Sequence, residues 1–138
     1  MEINQITDQI IAAAIKVHSY FGPGLFEEVY KRCLYRELQK RYVVVAKEVM
    51  LPALYEDELI ECGYRLDLLV EGAVIVELKT VEQFAKIHRT QMLTYLKLAK
   101  KQVGLLINFN SVYLKDGIVR IVNGYTGPTP SALSAPPR

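Results

Sequence analysis

The chain has 138 residues, 51% hydrophobic and 23% charged, a balance that fits one globular unit with a real core and excludes the disordered and fibrous classes. Seventeen Lys and Arg against 15 Asp and Glu leave a net charge of +2, which alone argues neither for nor against a polyanionic partner. Cys33 and Cys62 are too few for a disulfide framework, and the N-terminus lacks the features of a secretory signal. The run Ile10 to Val17 is broken by Lys16 and falls short of the roughly 20 residues that cross a bilayer. A reduced, cytoplasmic setting without membrane contact is expected.

In chain order, Ile3, Ile6, Ile10, Ala14 and Val17 recur at helical spacing, so residues 5–20 read as an amphipathic helix ended by Gly22, Pro23 and Gly24. A second helix follows, because Phe26, Val29, Tyr30, Cys33, Leu34 and Leu38 share one broad face. Glu27 sits at the edge of that stripe, where a carboxylate is costly unless paired, while Glu28 points to water. Residues 42–51 are rich in β-branched side chains and read as a strand ended by Pro52. Residues 58–70 and 74–79 read as two more strands around Glu71, Gly72 and Ala73.

Thr80 to Gln83 has the spacing of a capping box and predicts a helix over about 82–100. On it Phe84, His88, Gln91, Tyr95 and Leu98 share one face, and Lys86, Arg89, Lys97 and Lys100 lie on the other. Val103 to Phe109 has buried-strand length, and Val112 to Leu114 with Ile118 to Val122 reads as a terminal hairpin. The order predicts a mixed α/β unit over residues 1–123, with one helix linking two strands that can run parallel. From residue 124 Pro, Gly, Ser and Thr replace periodicity, so 124–138 reads as a flexible tail.

The small net charge hides a layout. Residues 31–47 hold six basic residues and one acid, residues 48–82 hold nine acids against Arg65 and Lys79, and residues 83–101 hold five basic residues and no acid. Solvated faces account for any one block; an acidic, cation-binding centre between phosphate-binding segments accounts for all three.

Within the acidic block, strand alternation puts Glu77 and Lys79 on one face of 74–79 and Val74, Val76 and Leu78 on the other. Antiparallel pairing around a three-residue loop brings Asp67 directly opposite Glu77, with side chains about 5 Å apart. A two-residue turn instead sends them to opposite faces, and the plainer outcome is an exposed hairpin face. Two carboxylates so close repel unless a divalent cation lies between them. His88 reads as an edge-of-core histidine, and His18 carries little weight.

Together these residues resemble a family. Gly24 to Tyr30 (Gly-Leu-Phe-Glu-Glu-Val-Tyr) resembles the signature of the GxxExxY family, a group within the PD-(D/E)XK nuclease superfamily. The similarity continues through Gly63 to Asp67, Val74 to Lys79, Gln91 to Leu96, Gly104 to Phe109 and Leu114 to Val122, covering about residues 5–123 in order. Leu66 stands where the superfamily name has Pro, at a position that varies among such enzymes.

The resemblance implies a restriction-endonuclease-like core, a central mixed sheet flanked by helices, with Asp67, Glu77 and Lys79 at the active positions and Glu27 as a further metal ligand. It implies Mg²⁺, with Mn²⁺ as substitute, held by Glu27, Asp67, Glu77 and the backbone carbonyl of Leu78. Lys79 would orient the attacking water and stabilise charge on the phosphate. Gln91 and Tyr95 resemble a Gln-x-x-x-Tyr element that shapes the site and contacts substrate, and Tyr30 and Arg65 are secondary candidates. Glu48 is a further acid of ambiguous strand phase. The expected activity is metal-dependent hydrolysis of nucleic acid, DNA ahead of RNA. The alternative is an inactive nucleic-acid-binding or protein-binding module that keeps the fold, with the basic helix face on phosphates. A homodimer suits cutting both strands of a duplex, although no residue pattern requires it.

Overall fold

The structure, a computed structural model, describes residues 1–61, 64–125 and 127. The early helical periodicity forms α1 (Ile3–Phe21) and α2 (Glu27–Lys40). α1 buries Ile6, Ile10, Ala13, Ala14 and Val17 on one stripe. The stripe of α2 is narrower than the sequence suggests: Tyr30, Leu34 and Leu38 are buried, but Phe26 is 86% exposed. Phe26 is the N-cap residue, in extended backbone, so its side chain swings off the helical face. Glu37, buried, ties the two helices through Lys16 of α1 at 3.2 Å, helped by Lys40 and Arg41.

The strands are β1 (Val45–Met50), β2 (Ala53–Tyr55), β3 (Glu58–Ile60), β4 (Arg65–Val70) and β5 (Val74–Lys79). After α3 (Lys86–Ala99) come β6 (Val103–Asn108), a 3₁₀ turn (Leu114–Gly117) and β7 (Ile118–Val122). Five strands form the central sheet in the order β1-β4-β5-β6-β7. Only β5 and β6 run parallel, joined by α3; the other neighbours are antiparallel. This is the mixed sheet flanked by helices that the element order predicts.

Each face of the sheet carries its own core. α1 and α2 pack over Leu68, Val70, Val74, Val76, Leu78, Leu105 and Ile107, while Met92 and Leu96 of α3 pack over Leu66, Ile75 and Leu106. Double coverage explains why β5 and β6 read as continuous apolar runs. Among the described residues no helix is long and apolar enough to cross a membrane.

Three local expectations are corrected. The strand expected over 58–70 is interrupted: β2 and β3 form a separate hairpin arm, and only from Arg65 does the chain join the central sheet. Leu54 and Leu59 of that arm are 68% and 56% exposed, because the arm stands apart from the central sheet and its two cores. The helix expected from residue 82 begins at Lys86. The buried Asn108 side chain accepts from the N–H of Val81 at 3.2 Å and donates to its C=O at 2.8 Å, pinning that residue in a loop. Ala85 is then the N-cap, and His88, three residues on, reaches back so that its Nδ1 accepts the Ala85 N–H at 3.0 Å.

The terminal hairpin does not form either. Residues 114–117 make the 3₁₀ turn, and β7 pairs antiparallel with β6, where Ile118 is buried in one core and Val119 and Ile121 pack partly buried against the other. Cys62, Gly63, residue 126 and most of the proposed tail lie outside the described residues, so the expectation of flexibility there falls outside them too.

Candidate active site

The site is built where β4 and β5 leave each other. Their ladder runs Val70↔Val74, Leu69↔Ile75, Leu68↔Val76 around the three-residue loop Glu71, Gly72, Ala73. Glu71 and Gly72 both take positive φ, 53° and 61°. This odd-numbered loop sets Asp67 opposite Glu77 one step further on, where the backbone ladder stops and the two carboxylates take over its hydrogen bonds. Glu77 Oε1 accepts the Asp67 N–H at 3.0 Å, and Asp67 Oδ2 accepts the Leu78 N–H at 2.9 Å.

The break extends to β1. Its register with β4 includes Lys47↔Leu68 and Val49↔Leu66 but skips Glu48 opposite Asp67, and Glu48 has φ +53°. Both strands exchange faces here. Val45, Leu68 and Val70 pack with α1 and α2, whereas Val49 and Leu66, at the same alternation, pack with α3. A local reversal of this kind turns side chains out of the pleat toward one point, which no period-2 reading of the sequence can reveal.

Electrostatics follow from that geometry. Glu77 is 8% exposed; burial, and then the charge of Asp67, push its carboxyl up to about 8, against the pull of the Asp67 N–H and of Lys79. Glu27, on the first turn of α2, is also raised, by burial and then by Asp67, with Lys79 and Lys31 opposing. The Tyr95 hydroxyl is raised by burial and by Glu77, with smaller effects from Tyr64 and Asp67. Asp67, Glu77, Lys79, Glu27 and Tyr95 therefore act on one another electrostatically, although they come from β4, β5, α2 and α3.

The remaining candidates separate. Gln91 is partly buried one turn before Tyr95, beside the core stripe of Met92 and Leu96, so the inward face of α3 is rotated from the one the sequence suggests. Leu98, expected inward, is exposed. Arg65 is exposed on β4, paired with Met50, two residues before Asp67. Tyr30 is fully buried and stacked on Phe109, with ring centres 4.6 Å apart. Its hydroxyl donates to the Gly22 carbonyl at 2.5 Å and accepts the Leu25 N–H at 3.1 Å, so it holds the loop that leads into Glu27 and is not open to a substrate. Leu78 is fully buried, its N–H engaged by Asp67.

Two groups were not singled out by the sequence. Lys31, one turn after Glu27, has a side chain only 13% exposed and contacts Glu28 at 3.0 Å, Glu48 at 3.5 Å and Asp67 at 3.9 Å. Burial opposes its charge, yet Glu28, Asp67 and Glu48 hold its pKa above the ordinary lysine value. Glu28 thus does more than face water. The i, i+4 spacing of Glu27 and Lys31 was the available signal, since both fall on one face of α2. Asn108 had none, because its role depends on the distant loop at Val81.

An acid pair and a lysine where antiparallel strands part, in a mixed sheet covered on both faces by helices, is the layout of a restriction-endonuclease-like protein. Residues 4–121 match the model of the PD-(D/E)XK nuclease superfamily, and the chain belongs to that superfamily. Its members generally hydrolyse phosphodiester bonds and typically use divalent metals such as Mg²⁺. Neither a curated protein nor a solved structure matches the chain.

Proposed function

We propose that residues 1–123 form a metal-dependent nuclease of the GxxExxY group, acting on nucleic acid with DNA ahead of RNA. The observation that carries the reading is the Asp67 and Glu77 pair: two carboxyl groups at close range, one of them buried and held well above its ordinary pKa. Such a pair is unfavourable for folding alone and becomes favourable when a cation neutralises it. The motif letters also have physical sense here. Gly24 has φ +107°, Tyr30 clamps the loop on either side of it, and Glu27 follows at the helix start.

Whether the donor set suits the metal can be judged from its chemistry. Among the described residues no three His, Cys, Asp or Glu side chains form a ready cluster of ligands. Mg²⁺, however, keeps several waters and needs only one or two carboxylates together with substrate oxygens. Asp67 and Glu77 meet that requirement, with Glu27 and the Leu78 carbonyl as the further ligands we assign. When bound, the cation supplies Lewis-acid polarisation of a phosphoryl oxygen and acidifies a water.

The chain's own residues do the rest. Lys79, two residues beyond Glu77 on the same face, orients the attacking water and faces the charge that develops on the phosphate. Tyr95 flanks the site from the α3 side, Gln91, one turn earlier on that helix, is assigned to substrate contact, and Arg65 lies along β4 where a phosphate backbone can pass. The test is incubation of the purified protein with linear, single-stranded and branched DNA and with RNA, under Mg²⁺, Mn²⁺ or EDTA. Cleavage that requires the metal and is lost in Asp67→Asn and Lys79→Ala is the expected result. Wild-type protein that binds nucleic acid in a salt-sensitive way but never cleaves it would establish the binding module instead.

A further inference from the structure

We propose that Lys31 is a resident second cation of this site, so that the site takes a single divalent ion; the inference rests on the metal-dependent reading above. The Lys31 ammonium lies among carboxylates from three elements, Glu28 of α2, Glu48 of β1 and Asp67 of β4, at 3.0, 3.5 and 3.9 Å. With its side chain 13% exposed, it is no ordinary surface pair. Asp67 spends Oδ2 on the Leu78 N–H, and its other oxygen, Oδ1, is the one Lys31 faces.

The backbone shows that the contact is built. Glu48 reaches Lys31 from a position whose left-handed φ breaks the ladder between β1 and β4, and a strained non-glycine residue persists only where its surroundings hold it. Charge counting gives the same division. Glu28 and Glu48 are offset by Lys31 together with Arg32, which contacts Glu28 at 3.2 Å. Glu27, Asp67 and Glu77 are then the carboxyl groups left to a single divalent ion. Paired catalytic ions sit about 4 Å apart, and a second ion bridging Asp67 toward Glu48 would have to share that space with the ammonium.

The test is a count of bound Mn²⁺ on the full chain, stripped with EDTA and titrated at neutral pH while free Mn²⁺ is followed by electron paramagnetic resonance. Wild type is expected to bind one ion per chain, Lys31→Arg one, and Lys31→Gln two, since the neutral side chain frees Glu28, Glu48 and Asp67 for a second ion. Two ions on the wild type, or one on a folded Lys31→Gln, overturns the inference. The wild-type count decides on its own if Lys31→Gln does not fold. One ion on both proteins leaves the nuclease reading standing and removes only the role of Lys31, whereas no ion on the wild type removes both.

Discussion

Replacing Glu77 with Gln should stabilise the metal-free protein at alkaline pH while abolishing cleavage. The Glu77 carboxyl has an ordinary value of 4.5 and is pushed up to about 8, mainly by burial and then by the Asp67 charge. A carboxyl raised in the folded state is protonated there across the interval in which the unfolded chain has already lost its proton. Stability is then fully present below about 4.5 and falls as pH rises through the folded value near 8.

At 1.36 kcal/mol per pH unit, that interval sets a ceiling of about 5 kcal/mol. Local relaxation and water entry around the ionised carboxylate lower the expected figure to about 2–4 kcal/mol. Gln keeps an oxygen for the Asp67 N–H and offers an amide donor to the Asp67 carboxylate, so little packing is lost. The assay is urea unfolding in EDTA at pH 5 and pH 9 for wild type and Glu77→Gln. The wild type should lose about 2–4 kcal/mol more between the two pH values than the variant does. Parallel behaviour of the two proteins would show that the carboxyl pair is not held at a cost, and the electrostatic case for a cation site would fall with it.

Asn108→Ala removes the partners of the Val81 N–H and C=O and one partner of the Asn110 N–H. Loss of those part-buried bonds should cost about 2–3 kcal/mol by denaturant unfolding, and hydrogen exchange at residues 80–85 should quicken. Tyr30→Phe keeps the stack on Phe109 but leaves the Gly22 carbonyl and Leu25 N–H without the hydroxyl. It should cost about 1–2 kcal/mol and lower nuclease turnover, because the loop into Glu27 loosens; unchanged stability with unchanged turnover would refute that clamp. Gly104→Ala drives a methyl into the Met92 side chain between β6 and α3, at a cost of about 1–3 kcal/mol. A double-mutant cycle with Met92→Ala should show favourable coupling, and strict additivity would mean that the two positions do not collide.

How much was legible in the sequence follows from how far each signal reaches. α1 and α2 are written in a 3.6-residue period and appear where that period places them, as do β5 and β6 from their apolar runs. The start of α3 was misplaced because the capping-box spacing at Thr80 is local, whereas Asn108 captures Val81 from 27 positions away. The last strand was read correctly and its partner wrongly, since pairing in a sheet is a choice among strands and not a property of one of them.

The candidate site divides in the same way. Asp67, Glu77 and Lys79 and the costly Glu27 at the edge of a helical stripe are short-range facts legible in the chain by itself, whereas the choice between a two-residue and a three-residue loop, and with it the facing of Asp67 and Glu77, came from the β4–β5 register. The chain also determined the mixed order of helices and strands from which the architecture follows. Only the tertiary structure decided that β1 and β4 exchange faces at Glu48 and Asp67, that Lys31 arrives among three carboxylates, and that Tyr95 comes within electrostatic reach of Glu77. Those outcomes depend on side chains from separate layers meeting in low-dielectric surroundings, where burial and charge act across space and leave no period or spacing along the chain.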